Sequence, residues 1–175
     1  MKLVSRFTLI FLVCMGLTFG TAPSAKANGS NWWHSSTQPQ RDQYILNQGA
    51  SAVGSYGGQC KAWIQNVVYA ASGNHVWLPL NQASPNNYMW EYDPNNHASG
   101  ACMYIEYAPV GWIVQMRLSS GTAHTAIVAQ KTSTTITFLD SNWGYDGIVR
   151  YHTMTYAQFY GMLASTWSFT VYHVQ

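Results

Sequence analysis

Six residues fix the first element of the fold. Cys60, Trp63, Ile64, Val67, Val68 and Ala71 fall at i, i+3, i+4, i+7, i+8 and i+11, the period of a helix with one apolar face. Ser72-Gly73-Asn74 supplies its C-terminal stop. A shorter helix is predicted over Gln40–Gln48, with Tyr44 and Ile45 inward, and residues 28–40 read as a loose arm. Gly49 to Gly58 reads as a loop, and residues 73–100, with three prolines and many Asn, as a long irregular segment of the kind that usually carries function. From Val110 the period shortens. The runs Gly111–Leu118, His124–Gln130, Thr134–Leu139, Ile148–Tyr151 and Trp167–Val174 read as strands, separated by turn residues and interrupted by a short helix over Tyr156–Ala164. Helices first and an antiparallel meander afterwards define an α+β fold.

The beginning of the chain reads as an export leader. Lys2 and Arg6 precede an apolar run from Phe7 to Phe19, and Ala25-Lys26-Ala27 places small residues at −3 and −1 of a cleavage site. The run is short of the roughly 20 apolar residues of a membrane span. Residues 1–27 are therefore expected to be a signal peptide, and the product to be secreted: extracellular, periplasmic or cell-wall associated, without stable membrane insertion. Cleavage changes the charge. Five basic residues (Arg41, Lys61, Arg117, Lys131, Arg150) then face six acidic ones (Asp42, Glu91, Asp93, Glu106, Asp140, Asp146), a net charge of −1. That leaves no basic patch for nucleic acid. It also removes Cys14, so Cys60 and Cys102 remain.

Cys60 opens the best helix, behind Gly57-Gly58-Gln59. A thiol at a helix N-terminus feels the positive end of the macrodipole, which favours the nucleophilic thiolate. The competing readings are a buried small hydrophobe, or half of a Cys60–Cys102 disulfide, which an exported protein permits. His124 starts a strand, at a sheet rim from which it can reach a helix N-terminus; a hydrogen-bonded structural histidine is the alternative. Asp140-Ser141-Asn142 ends the strand Thr134–Leu139, where a carboxylate or amide could orient His124; the alternative is a turn. His34, His75, His97, His152 and His173 have no comparable context, and no spacing argues for a metal.

Together, Gly58-Gln59-Cys60, the strand Gly111-Trp-Ile-Val, Gly121-Thr-Ala-His124-Thr-Ala-Ile-Val128 and Phe138-Leu-Asp140-Ser-Asn142-Trp resemble the CHAP family of cysteine- and histidine-dependent amidohydrolases and peptidases. The resemblance runs from Gly54 to Tyr151 and implies a papain-like fold, with N-terminal helices packed on an antiparallel sheet. It divides the chain into a leader (1–27), an arm with a short helix (28–53) and a catalytic domain (54–175). It implies Cys60 as nucleophile, His124 as base, and Asp140 or Asn142 as the group orienting His124. The Cys60 backbone N–H, with help from Gln59, would hold the oxyanion. Family and export together point to peptidoglycan, or another peptide, as substrate, with no cofactor; Trp90, Trp112 and Trp143 could offer stacking surfaces, the alternative being core or strand packing, which is favoured for Trp112. The chain departs from the family pattern at Trp112, where Asp is frequent, and at Asp140, where Glu is common. Ala83–Met103 has no counterpart. The alternative function is a non-catalytic, secreted wall-binding domain stapled by a Cys60–Cys102 disulfide.

Overall fold

The computed structural model describes residues 32–78, 98–101 and 104–175. The leader, Trp90 and Cys102 lie outside the described residues. The described residues form helices α1 (Trp32–Ser35), α2 (Gln38–Ala50) and α3 (Cys60–Ala71), then strand β1 (Ala98–Ala101) and a 3-10 turn (Ile105–Tyr107). Strands β2 (Ile113–Arg117), β3 (Ala123–Lys131), β4 (Thr135–Ser141) and β5 (Val149–Thr155) follow, then α4 (Tyr156–Met162) and β6 (Phe169–Val174). The architecture is α+β. No described helix is long and apolar enough to cross a membrane.

Helix α3 spans the residues its period predicts. The arm is less loose than its composition suggests. Trp33 in α1 is fully buried, and its indole N–H donates to the Gln175 carbonyl at 3.2 Å. Helix α2 begins two residues before its predicted start because Gln40 turns back to accept the Thr37 N–H at 2.8 Å, and Pro39 lies in the first turn. Proline is harmless there, since a first-turn N–H has no helical acceptor to lose.

The strands make one antiparallel sheet in the order β1-β6-β2-β3-β4-β5. Of the five strands expected to form a meander, only β2 to β5 do so. The last strand returns to pair with β2, and β1, inside the segment read as irregular, pairs with β6. Helices α2 and α3 cover one face, burying Ile45, Ile64 and Val68 against Ile113, Ile127 and Leu139. The other face is covered too: Ile105 and Phe159 pack on Val114, Val128 and Phe138. Both sides of β2 and β3 are therefore buried, and the apolar–polar alternation of a half-exposed strand is muted in them.

Two glycines set close approaches that position α2 and α3 on the sheet. At Gly111 (φ 89°) a side chain would run into the backbone of Asp42 in α2. At Gly57 a Cβ would lie 2.7 Å from Ser141 Oγ, 2.7 Å from Trp63 Cδ1 and 2.8 Å from Val149 Cγ2. Two of those neighbours are β4 and β5 side chains and the third belongs to α3, so the strain has no flexible end to absorb it. Gly57→Ala is expected to destabilise the protein by about 1–3 kcal/mol, read as a lowered Tm; an unchanged Tm would show that the segment before α3 is free to shift.

Candidate active site

The site forms where the start of α3 meets the ends of β3 and β4. The chain enters α3 under control: Gly57 and Gly58 N–H groups both donate to the Gly147 carbonyl, at 2.7 and 3.1 Å. The buried Ser141 hydroxyl lies 2.7 Å from the Gly58 carbonyl and 3.0 Å from that of Gly147, one proton serving two acceptors. Gln59 is the N-cap residue and Cys60 the first helical residue. The Cys60 N–H therefore has no intrahelical acceptor.

His124 is the second residue of β3 and 7% exposed; Asp140 in β4 is fully buried. Pairing of Ile127 with Leu139 places Ala126 opposite Asp140, so His124 lies diagonally across from the carboxylate on the same face. The His124 Nε2–Asp140 Oδ1 distance is 3.6 Å, a charge contact slightly too long for a hydrogen bond. With Nε2 turned to Asp140, Nδ1 is the ring nitrogen left for Cys60, whose thiol interacts with the His124 side chain. Cys60 is a free thiol.

Each group changes the other's protonation. Burial works against ionising the Cys60 thiol, but the His124 ring beside it and the Thr125 and Lys61 backbone N–H groups outweigh that and hold its pKa below the ordinary thiol value. Burial likewise favours neutral imidazole at His124, yet the Asp140 carboxylate and Cys60 push its pKa up to about 9. The arrangement favours a thiolate–imidazolium pair.

The motif Asp140-Ser141-Asn142 divides its labour. Successive strand residues point to opposite faces, so Asp140 turns to His124 while Ser141 turns to the segment leading into Cys60. Asn142, at φ 68°, is engaged at both ends of its amide: Nδ2 donates to Gln59 Oε1 at 3.3 Å, and Oδ1 accepts the Gly147 N–H at 2.9 Å. Of the two residues considered for orienting His124, Asp140 is the one in contact with it. Asn142 instead ties Gln59 to the β4–β5 turn.

The cleft over Cys60 and His124 has a volume of about 580 Å³ and is lined in part by Gln59, Leu118, Asn142, Trp143, Tyr145 and Met162. Trp143 meets the His124 ring edge-on at 4.8 Å and stacks on His152 at 4.9 Å and 27°. Trp112 does not line the cleft; its indole donates to Asp42 Oδ2 at 3.0 Å and packs on His173. The residue that the sequence does not single out is His152, whose Nε2 is 3.5 Å from Asp140 Oδ1. Its signal is the pairing of β5 with β4, which puts His152 opposite Phe138 and on the Asp140 face. Among the described residues, no group of three or more His, Cys, Asp or Glu is arranged to hold a metal ion.

No family profile and no curated protein matches the sequence. Solved structures that share the fold include two of Ly7917. The crystal structure of Ly7917 superposes with a TM-score of 0.53 at 18% identity, covering 74% of this chain and 61% of that one. The structure of Ly7917 with the hydrolyzing product of MDP gives a TM-score of 0.55 at 18% identity, covering 76% and 63%. This chain thus spans about six-tenths of the length of the protein it resembles.

Proposed function

We propose that the protein is a secreted cysteine amidohydrolase or endopeptidase of the CHAP type, acting on amide bonds of peptidoglycan. The observation that carries the reading is the pairing of Cys60 and His124 in the lining of one cleft, with the buried Asp140 carboxylate 3.6 Å behind the His124 ring. The substrate class draws its support from the fold shared with Ly7917, which has been crystallised with the hydrolyzing product of MDP, and from the export leader.

The Cys60 thiolate attacks the amide carbonyl carbon, forming a C–S bond and a tetrahedral oxyanion. The Cys60 N–H lies at the helix N-terminus to receive that charge. Gln59 can add its Nε2–H₂, because Asn142 occupies only the Oε1 end of its amide. His124 passes its proton to the leaving nitrogen as the C–N bond breaks, leaving a thioester and neutral imidazole. The imidazole then takes a proton from water, the hydroxide attacks the thioester, and the thiolate departs. Asp140 stabilises the imidazolium without taking its proton.

Incubation of the protein with purified cell walls, followed by mass spectrometry of the soluble fragments, tests the reading. New amino or carboxyl termini are expected from the wild type and none from Cys60→Ala. Fragments bearing only new reducing sugar ends would replace amide hydrolysis with glycan cleavage.

A further inference from the structure

Asp140 is approached from two sides. Its Oδ1 lies 3.6 Å from His124 Nε2 and 3.5 Å from His152 Nε2. Both carboxylate oxygens and both Nε2 atoms are buried without a hydrogen-bond partner among the described residues. These four atoms form one cluster, and a buried carboxylate is costly unless donors reach it. The sheet register makes the cluster obligatory. His124, Asp140 and His152 lie on β3, β4 and β5, diagonal to one another on one face. Trp143 closes over the two imidazoles, edge-on to one and stacked on the other, which limits their rotation.

We propose that His152 is a positioning residue for the Cys60–His124 pair: its Nε2–H donates to Asp140 Oδ1 and holds the ionised carboxylate against His124. The role of that pair rests on the hydrolase reading above. One oxygen can accept from both rings, since a carboxylate offers about four lone-pair sites. His152 serves best as the neutral Nε2–H tautomer, because a second imidazolium would compete with that of His124 for a single negative charge. The charged groups around it are Asp140 from β4, His124 from β3 with Cys60 of α3 beyond, and Arg150 on β5. Arg150 is partly exposed and pairs with Asp146 at 2.7 Å. A ring that merely packed under Trp143 would need no nitrogen aimed at the carboxylate.

The test measures iodoacetamide alkylation of Cys60 across pH in the wild type, His152→Leu and His152→Gln, with Tm recorded for each. Wild-type Cys60 titrating as an ordinary thiol, at about 8.5, would overturn the thiolate–imidazolium reading itself. With Cys60 activated in the wild type, His152→Leu is expected to raise its apparent pKa by about one unit, slowing alkylation at neutral pH about tenfold. His152→Gln, a neutral donor of similar reach, is expected to restore the rate to within about twofold. A His152→Leu profile that overlays the wild type, or a folded His152→Gln that matches His152→Leu, overturns the proposal. Imidazole nitrogen NMR of the wild type gives a second measurement that needs no variant. It is expected to find the neutral His152 proton on Nε2, and a proton on Nδ1 instead would also overturn the role.

Discussion

Cys60→Ala is expected to lower kcat for amide hydrolysis by about 10³-fold or more while leaving the domain folded. The asymmetry follows from where the sulfur lies. Cys60 is only partly buried and lines the cleft rather than the core, so its removal opens no cavity among Ile64, Val67 and Val68, which anchor α3 to the sheet. Its Tm should stay close to that of the wild type. Cys60→Ser is expected to be nearly as inactive, because a hydroxyl in the same place stays protonated and is the weaker nucleophile. Wild-type turnover in either variant would end the nucleophile assignment. Loss of activity accompanied by a large fall in Tm would show Cys60 to be a structural residue instead.

Asp140→Asn is expected to cost about 10²–10⁴-fold in kcat/KM and to move the pH profile. In the wild type the His124 pKa is raised from 6.5 to about 9, so the stability it contributes is fully present below about pH 6.5 and is lost as pH rises through about 9. The Cys60 pKa is lowered, so its contribution is present above the ordinary thiol range and is lost as pH falls through the lowered value. Between those limits the folded protein holds the ion pair. Activity should therefore be bell-shaped, with its alkaline limb near pH 9 and its acid limb below the usual thiol range. Asparagine removes the negative charge that helps raise the His124 value, so the alkaline limb should move to lower pH. It also offers an amide N–H₂ to a ring nitrogen that must keep its own proton. A pH–rate profile of the variant checks both effects; a profile unchanged in height and position would remove Asp140 from the mechanism.

Much of this site is legible in the order of the amino acids. The helical period from Cys60 to Ala71 depends only on residues within three turns of one another, and α3 begins and ends where that period does. His124 lies at the start of a strand for an equally local reason, since the turn residues Ser119–Thr122 must end before pairing can begin. Asp140 is legible as a strand-end acid one hairpin away. The contributions of Ser141 and Asn142 are not, because they depend on Gly58, Gly147 and Gln59, groups brought alongside only when β4 reaches the N-terminus of α3. The packed arm around Trp33 and the early start of α2 are hidden for related reasons. A buried indole needs the far C-terminus as its partner, and a proline reads as a breaker unless its first-turn position is known.

The amino-acid order by itself determined the helix that presents Cys60, the strands that carry His124 and Asp140, and the α+β class, because each follows from periodicity over a few neighbours. Only the tertiary structure decided strand order and register, and with them the return of β6 to lie between β1 and β2. Register then decided the histidines. Shifting β5 by one residue against β4 would turn His152 to the opposite face, and Asp140 would keep one imidazole instead of two.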